Sequence, residues 1–545
     1  MNPIKSILVA NRSEIAIRVF RAASEMNIRT VAIYSKEDRL SLHRFKADEA
    51  YLVGEGKGPI AAYLDIDDII RVAKEAHVDA IHPGYGLLSE NPDFADACAK
   101  AGIRFIGPSP DAMRRLGNKV TARHLAESAG VPVVPATDAL PYDLAEAKVA
   151  AAKVGYPMML KASWGGGGRG MRVVETEADL GPAMEVARRE AGSAFGNDEV
   201  YLEKLVRRAR HVEVQVLGDT HGNLIHLFER DCSVQRRNQK VVERAPAPYL
   251  DEKTRTELCA AALRLAKEVG YSHAGTVEFL MDADTGAYYF IEVNPRIQVE
   301  HTVTEQVTGI DIVKAQIRVT EGVRIGDENS SIPTQDKIRL NGHALQCRVT
   351  TEDPENGFAP DYGKLTAYRS ASGMGVRLDG GTAYAGAVIT PYYDSLLVKV
   401  TAWGNTAVEA ASRMDRALRE FRIRGVTTNL AFLENVIAHP QFLSGECITR
   451  FIDDTPALFE FTPRRDRATR LLSFIGEVTV NGSPEMKGRT APVGPLAAPI
   501  LPKVDLTVAP PAGSRDRLKA LGADAFAQWM RDTPKVLLTD TSMRD

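Results

Sequence analysis

The sequence lacks long hydrophobic runs, paired cysteines and any large excess of one charge. No apolar run approaches the ~20 residues of a membrane-spanning helix, and the first apolar stretch is too short for a signal peptide. The five cysteines show no CxxC spacing, which argues against disulfides and zinc sites and suits a reducing cytoplasm. A net charge of −3 gives no general attraction to nucleic acid or anionic membrane. We therefore expect a cytoplasmic protein without either partner.

The chain of 545 residues is too long for one compact core, so several domains are expected. Strand and helix signals alternate over residues 1–117, which predicts a doubly wound parallel sheet. More strands follow over 118–330, and residues 331–455 read as a further unit. A segment rich in Pro, Gly and Ala within 456–545 is typical of an extended connector. The predicted fold class is α/β, and α+β in part.

A run of four glycines stands in the segment LKASWGGGGRGM, residues 160–171. Strand-like segments precede and follow Gly165–Gly168, which outlines a hairpin with a glycine-rich tip. A tip without side chains lets backbone N–H groups close over an anion, usually a phosphate. We interpret the run as a phosphate-covering loop; a flexible linker is the alternative.

The segment GTVEFLMDADTGAYYFIEVNPRIQVEH, residues 275–301, reads as two strands around the turn DADTG. If the turn centres near Thr285, Glu278 and Glu292 lie opposite each other, with side chains ~5 Å apart. Facing carboxylates need positive charge between them, and Mg²⁺ fits because it binds one or two carboxylates plus substrate phosphates. Asn294 continues that face. A solvated hairpin with exposed acids is the alternative.

Two further polar clusters flank this hairpin in the sequence. Arg296 offers a planar fork of donors for a small oxyanion, and Glu300 would act as a base if held near it. A surface ion pair is the alternative for both. A basic run is expected either to neutralise a triphosphate or to form a solvated face; its cations are Arg230, Arg236, Arg237 and Lys240.

Taken together, several segments resemble the biotin carboxylase branch of the ATP-grasp enzymes over about residues 4–450. They are ILVANRSEIAIRV, AIHPGYGLLSEN, KASWGGGGRGM, ERDCSVQRRNQKVVERAP, FIEVNPRIQVEH and GHALQCRVTTEDP. The resemblance implies an ATP-grasp domain over 118–330, between the doubly wound domain and a biotin carboxylase C-terminal domain. It also implies a ligase that uses ATP and bicarbonate to carboxylate biotin through carboxyphosphate.

Within that branch, the tryptophan of KASWGGGGRGM and the segment FRIRGVTTNL are more similar to pyruvate carboxylases than to acetyl-CoA or propionyl-CoA carboxylases. The final VLLTDTSMRD resembles the opening of a carboxyltransferase barrel. This implies the first half-reaction of pyruvate-to-oxaloacetate conversion, an anaplerotic and gluconeogenic step, in a chain that continues beyond Asp545. The alternatives are a biotin carboxylase subunit of an acyl-CoA carboxylase and a silent nucleotide-binding assembly module.

The same resemblance implies roles for individual residues. ATP would contact Lys119, Lys161, Gly165, Gly166, Gly167, Gly168, Glu203, Lys204, His211 and Leu280. Magnesium or manganese would be bound by Glu278, Glu292 and Asn294. Bicarbonate and biotin would be held by Tyr85, Gly86, Lys240, Arg296, Gln298, Val299 and Arg348. Glu300 would be the base, with Lys240 and Arg296 also catalytic, and Arg348 would stabilise the oxyanion that forms on biotin.

Partners also follow from the resemblance. Biotin would arrive on a biotinyl carrier domain that is absent from this chain. Acetyl-CoA is expected as an activator, with its phosphates near Arg422, Arg424 and Arg467. A homodimer through the biotin carboxylase part is expected, and a tetramer for the full-length enzyme.

Overall fold

The computed structural model describes residues 2–164, 171–328, 330–461 and 467–482. The chain divides into two compact units, Met1–Thr462 and Pro463–Asp545. The predicted phosphate loop Gly165–Gly168 and the terminal VLLTDTSMRD segment lie outside the described residues.

The first 117 residues contain a five-stranded parallel sheet and its helices. The strands are β1 Ser6–Val9, β2 Arg29–Tyr34, β3 Glu49–Leu52, β4 Ala80–His82 and β5 Arg104–Phe105. The helices are α1 Ser13–Glu25, α2 Pro59–Tyr63, α3 Ile66–Glu75, α4 Pro92–Lys100 and α5 Pro110–Gly117. The order in the sheet is β3-β2-β1-β4-β5, with every pair parallel.

Both faces of this sheet are buried under helices. Ile7 and Val9 pack in one apolar core with α1, whereas Leu8 packs in another core with α3 and α4. Successive side chains of a strand point to opposite faces, and a parallel sheet covered on both faces needs a nearly continuous apolar strand such as SILV. The predicted doubly wound sheet is confirmed.

A small antiparallel sheet follows, with the order β7-β6-β8. Its strands are β6 Met158–Ala162, β7 Arg172–Val174 and β8 Val200–Lys204, and its neighbouring helices are α6 Lys119–Ser128, α7 Leu144–Val154 and α8 Glu177–Phe195. The strands before and after the glycine run pair with each other, as the hairpin interpretation predicts.

The largest sheet has eight antiparallel strands. Its members are β9 Ala209–Gly218, β10 Leu224–Arg236, β11 Gln239–Ala245, β12 His273–Asp282, β13 Tyr288–Asn294, β14 His343–Thr350, β19 Val376–Gly380 and β21 Leu396–Gly404. The order is β13-β12-β9-β10-β11-β14-β21-β19. Because Val242 of β11 pairs with Cys347 of β14, the sheet runs across residue 330, where a domain boundary is predicted.

Shorter strands and further helices complete the first unit. The strands are β15 Glu352–Asp353, β16 Ala359–Pro360, β17 Gly363–Lys364, β18 Ala367–Arg369, β20 Val388–Ile389 and β22 Arg422–Arg424. The helices are α9 Glu252–Val269, α10 His301–Thr308, α11 Ile312–Thr320, α12 Ala407–Glu420, α13 Leu430–Ala438 and α14 Pro440–Leu443.

The two faces of the large sheet differ in chemistry. On β9, the side chains of Val212, Val214 and Val216 pack in an apolar core with α9. His211, Glu213 and Gln215 alternate with those valines, and Glu213 and Gln215 are also fully buried. The alternation places them on the opposite face, so that face is polar and lies inside the protein.

In the second unit, the described residues form the helix α15 Arg467–Asn481. Several of its apolar side chains are exposed, among them Leu471, Phe474 and Ile475. Across the described parts of both units, every helix is too short or too polar to cross a membrane.

Candidate active site

A cleft of about 1660 Å³ opens on the polar face of the large sheet. It is larger than the roughly 300–1,000 Å³ of a typical small-ligand pocket, so it has room for a nucleotide and a second ligand. The cleft brings together sixteen of the predicted site residues: Tyr85, Lys119, Lys161, Glu203, Lys204, His211, Lys240, Glu278, Leu280, Glu292, Asn294, Arg296, Gln298, Val299, Glu300 and Arg348.

The loop after β4 carries the predicted biotin residues. Asn11 donates from Nδ2 to the carbonyls of Pro83, at 2.7 Å, and Tyr85, at 2.8 Å. Gly84 and Gly86 both have φ of +65°, and a Cβ on Gly84 would lie 2.8 Å from Asn11 Nδ2. This turn therefore requires glycine. Tyr85 lines the cleft, whereas Gly86 is not among its lining residues.

The carboxylate hairpin has the predicted register. Glu278 on β12 pairs with Glu292 on β13, and a bulge follows directly after Glu278. Each carboxylate is met by a lysine: Lys240 Nζ lies 2.9 Å from Glu278 Oε1, and Lys119 Nζ lies 2.7 Å from Glu292 Oε2. Two facing acids at this place therefore attract cations, as the metal interpretation requires.

The oxygen donors at this hairpin fit a hard divalent cation such as Mg²⁺. Glu278 also lies near His211 and Glu213, and one ligand atom from each of these three residues falls within 4.8 Å of the others. Asn294 lies on the same face as the two glutamates, as the sequence predicts. Its Nδ2 donates to Glu278 Oε1, and its Oδ1 accepts from Arg296 at 2.9 Å, so its oxygen is already engaged.

Lys240 is the centre of the polar network. Its Nζ donates to Glu213 at 2.5 Å, to Glu300 at 2.7 Å and to Glu278 at 2.9 Å. Burial alone would lower the pKa of Lys240, but the three carboxylates outweigh it and raise that pKa well above its usual value. Lys240 is therefore a fixed positive charge on the floor of the cleft.

Glu300, the predicted base, stands directly before α10. Burial acts to raise its pKa, but the charges of Lys240, Arg348 and Arg230 outweigh burial and hold the pKa well below its ordinary value. The carboxylate is therefore ionised at neutral pH.

Arg348 holds Glu300 from the other side. Its Nη2 lies 3.2 Å from Glu300 Oε2, and its Nε donates to Glu243 Oε1 at 2.6 Å. Arg296 does not make the ion pair considered from the sequence; its Nε lies 3.3 Å from Glu90. Arg348 and Lys240 thus take the place beside Glu300 that the sequence suggests for Arg296.

The loop between β13 and α10 is anchored by buried groups. Gln298 donates from Nε2 to Glu278 at 2.9 Å and accepts from Arg230 at 2.7 Å. The carbonyl of Val299 accepts from Lys399 Nζ at 2.9 Å. The protein thereby fixes two of the residues predicted to hold bicarbonate, Gln298 and Val299.

Three of the predicted nucleotide residues, Lys161, Glu203 and Lys204, also line the cleft. Lys161 donates to the carboxylate of Glu203, which also accepts from Tyr201 at 2.8 Å. Lys204 donates from Nζ to the carbonyl of Gly155 at 2.9 Å. The pKa of Glu203 is lowered, because Lys161 and these hydrogen bonds outweigh burial.

His211 and Leu280 face each other on neighbouring strands of the large sheet. The side-chain amide of Gln235 lies 2.7 Å from His211 Nδ1, and His211 Nε2 lies 3.0 Å from Glu278 Oε2. If Gln235 donates to Nδ1, the proton of a neutral His211 is on Nε2, where it faces Glu278.

The basic run behaves unlike the prediction for Arg230. Arg230 is fully buried and cannot reach a triphosphate; it donates to Glu213, Gln215, Thr276, Gln298 and Thr304. The reason is its place on β10, whose polar face is covered by α10. Arg236 lines the cleft and stacks over Phe358, 4.0 Å from the ring centre.

Sequence reasoning missed several residues of the network, above all Glu213, Glu243 and Lys399. Each interrupts an apolar strand: HVEVQV, KVVERA and LLVKV. A buried charge needs a partner, so a lone charge in such a strand could have indicated a polar network.

Arg422 and Arg424, two of the predicted activator residues, do not line the cleft. Arg422 and Arg424 are exposed on β22, two positions apart, and Arg422 pairs directly with Arg369 of β18. The side chain of Arg467 lies outside the described residues.

These features define the class of protein: an ATP-grasp ligase with a carboxylate hairpin beneath a nucleotide cleft. Three family matches cover most of the chain. Residues 3–113 match "Biotin carboxylase, N-terminal domain", 118–327 match "Carbamoyl-phosphate synthase L chain, ATP binding domain", and 346–454 match "Biotin carboxylase C-terminal domain".

Individual relatives agree with these matches. The pyruvate carboxylase of Bacillus subtilis (strain 168) is 55% identical over 99% of this chain and 47% of that protein. The structure of Rhizobium etli pyruvate carboxylase with the allosteric activator acetyl coenzyme-A has a TM-score of 0.83 and 66% identity, over 97% of this chain and 47% of that one. The chain thus spans about half the length of these relatives.

A second solved structure is covered completely. The biotin carboxylase domain dimer of Hydrogenobacter thermophilus 2-oxoglutarate carboxylase, bound to MgADP, ADP and bicarbonate, has a TM-score of 0.82 and 44% identity, over 85% of this chain and 100% of that one. The chain belongs to the biotin carboxylase family.

Proposed function

We propose that this chain is the biotin carboxylase part of a pyruvate carboxylase, with domains over 1–117, 118–330 and 331–455 and a linker or allosteric segment over 456–545. It carboxylates biotin with ATP and bicarbonate, and a carboxyltransferase then passes the carboxyl group to pyruvate. The observation that carries the proposal is Glu300 held between Lys240 and Arg348. The facing acids of the hairpin lie in the same cleft.

Phosphoryl transfer depends on positioning and charge neutralisation. Lys119 and Lys161 bind the phosphates of ATP, and Gly165–Gly168 cover them. Glu203, Lys204, His211 and Leu280 hold the nucleoside. Glu278 and Glu292 hold Mg²⁺ or Mn²⁺, assisted by Asn294 if its oxygen leaves Arg296; the bound ion supplies neutralisation of phosphate charge.

Bicarbonate is bound by Lys240, Arg296, Gln298 and the backbone of Val299. Glu300 takes its proton, and the freed oxygen forms a bond to the γ-phosphorus while the bond to ADP breaks. Carboxyphosphate gives its carboxyl group to biotin N1, and the released phosphate takes the N1 proton. Arg348 stabilises the negative charge on the ureido oxygen, with Tyr85 and Gly86 beside the biotin.

Partners and regulation are part of the proposal. Biotin arrives on a biotinyl carrier domain, and the family's dimer forms through this chain, with a tetramer in the longer protein. Acetyl-CoA activates the enzyme through Arg422, Arg424 and Arg467; the exposed guanidinium groups of β22 support this. A cytoplasmic location fits five buried, unpaired thiols.

The decisive experiment measures ADP formation by the 545-residue chain with MgATP, free biotin and bicarbonate. We expect ADP to form only when bicarbonate is present, and biotin to increase the rate. Binding of MgATP without any cleavage would favour the silent assembly module. Supplying carrier and carboxyltransferase parts of a pyruvate carboxylase should yield oxaloacetate; carboxylation only of an acyl-CoA carboxylase carrier would favour the subunit alternative.

A further inference from the structure

A fully buried lysine, Lys399, lies next to the cleft and has no role in the proposed mechanism. Lys399 is on β21, and its side chain has no exposed surface. Its Nζ donates to the carbonyl of Val299 at 2.9 Å and lies 3.1 Å from Glu14 Oε1. One ammonium group therefore connects the large sheet with the loop Pro295–Glu300, which we call the bicarbonate loop, and with helix α1.

Glu14 extends this connection to the biotin side. The hydroxyl of Tyr85 donates to Glu14 Oε1, and Lys399 Nζ lies 5.9 Å from the centre of the Tyr85 ring. Tyr85 belongs to residues 83–86, which we call the biotin loop. The Lys399–Glu14 pair thus contacts both loops, and the two loops carry the groups assigned to the two substrates.

The other ionisable groups near this pair, Asp379 and His301, interact with different residues. Asp379 lies opposite Lys399 in the strand register, but its carboxylate is held by Arg377 at 2.7 Å. His301, the residue after the bicarbonate loop, has a pKa lowered by burial and lies in contact with the Gln298 carbonyl. Glu14 is consequently the main anion available to Lys399.

Stability alone is a poor explanation for this pair. Replacing a buried ion pair by well-packed apolar residues is often neutral or stabilising, because the desolvation of two charges offsets their attraction. An apolar pair at these positions would satisfy the core but would leave the Val299 carbonyl and the Tyr85 hydroxyl without their partners. The contacts to the two loops are what an ion pair adds here.

We propose that Lys399 and Glu14 are positioning residues that hold the bicarbonate loop and the biotin loop in register, so that each carboxyphosphate formed is delivered to biotin. This inference rests on the proposed function. A displacement of about 1 Å between reacting groups can cost as much as 10²-fold in rate. Loosening the pair should therefore affect transfer to biotin and bicarbonate use more than nucleotide binding.

The test compares Lys399→Met with the unchanged chain, measuring ADP and carboxybiotin in the same reaction. We expect carboxybiotin formed per ADP to fall by roughly tenfold and the KM for bicarbonate to rise by a similar factor. The Kd for MgATP should stay unchanged, because Lys119, Lys161 and the hairpin acids are untouched. Lys399→Arg, which keeps the charge and can donate to Val299, should recover part of the coupling.

Lys399→Met leaves Glu14 as a buried unpaired charge, which threatens folding. The double variant Lys399→Met with Glu14→Gln removes that charge and provides the main measurement. We expect its unfolding temperature to return toward that of the unchanged chain while the coupling stays low. Recovery of the coupling together with stability would overturn the proposal.

A matched control breaks a different buried ion pair. Arg255 donates to the buried Glu229 at 3.0 Å and does not line the cleft. Arg255→Met should lower the unfolding temperature but leave carboxybiotin per ADP unchanged; equal uncoupling in this control would contradict a positioning role. If the unchanged chain cleaves no ATP with bicarbonate, the proposed function fails instead, which separates the two results.

Discussion

The five-stranded sheet buries apolar side chains on both faces, whereas the eight-stranded sheet buries apolar side chains on one face and charged ones on the other. The five-stranded sheet has apolar residues on both faces, such as Ile7 and Leu8 on β1. The eight-stranded sheet has valines on one face and a network of buried ions on the other, centred on Lys240 and Arg230. A sheet used only as a scaffold has no need of buried charges, so the polar face of the second sheet supports placing the proposed substrate sites there.

The largest effect should come from changing Glu300. Its carboxylate contacts charged side chains on the polar face of the eight-stranded sheet, which we call the ionic face. Glu300→Gln keeps the size of the side chain but removes the proton acceptor, so bicarbonate-dependent ATP cleavage should fall by about 10²- to 10⁴-fold. Calorimetry should still detect MgATP binding. A rate within about threefold of the unchanged chain would remove Glu300 as the base.

The next effect concerns the stability of the ionic face. Arg230→Met leaves Glu213 without its 2.6 Å partner, and breaking a buried pair typically costs about 3–5 kcal/mol in the free energy of unfolding. Urea unfolding followed by fluorescence measures this cost. A loss below about 1 kcal/mol would mean that the remaining contact of Glu213 with Lys240 compensates for the missing guanidinium, and the contrast between the sheets would weaken.

Acid should weaken the ionic face next. In the folded chain, lysine and arginine charges hold the pKa values of Glu278 and Glu300 below normal despite burial, whereas an unfolded glutamate titrates near 4.3. Their stabilising contribution is therefore complete above about pH 4.3 and is lost as the pH falls below it. The pKa of Glu14 is instead raised, chiefly by burial. Its stabilising contribution therefore has the opposite pH dependence: it is present at low pH and is lost as the pH rises.

Lys240→Met isolates this acid response, because it removes the charge that lowers the pKa of both Glu278 and Glu300. The urea midpoint of the variant should fall less between about pH 5 and about pH 3 than that of the unchanged chain. Parallel curves for the two proteins would contradict the assignment of the acid response to these carboxylates.

The smallest effect should come from the scaffold sheet. Ile33 on β2 is fully buried in an apolar core, and Ile33→Val should cost about 0.5–1.5 kcal/mol in the free energy of unfolding. The KM values for ATP and bicarbonate should not change. A change in either KM would show that packing inside the five-stranded sheet affects the substrate-binding cleft.

Local patterns predicted much of this architecture. The alternating strand and helix signals over residues 1–117 predicted the doubly wound sheet, and the turn around Thr285 correctly paired Glu278 with Glu292. Arg230 was misassigned because its burial depends on β9 and α10, which a reading of one strand does not include. The pairing of Val242 with Cys347 joins positions about 100 residues apart, and no local signal specifies such a contact.

The continuous eight-stranded ladder also determines where the cleft can close. Glu278, Lys240 and Arg348 all lie on strands of one hydrogen-bonded sheet, so they move as one body. Lys161 and Glu203 belong instead to the three-stranded sheet β7-β6-β8, which is hydrogen-bonded as a separate sheet. If the cleft opens for a nucleotide, we expect the small sheet to be displaced relative to the large one, and the distance from Lys161 to Glu278 would report that displacement.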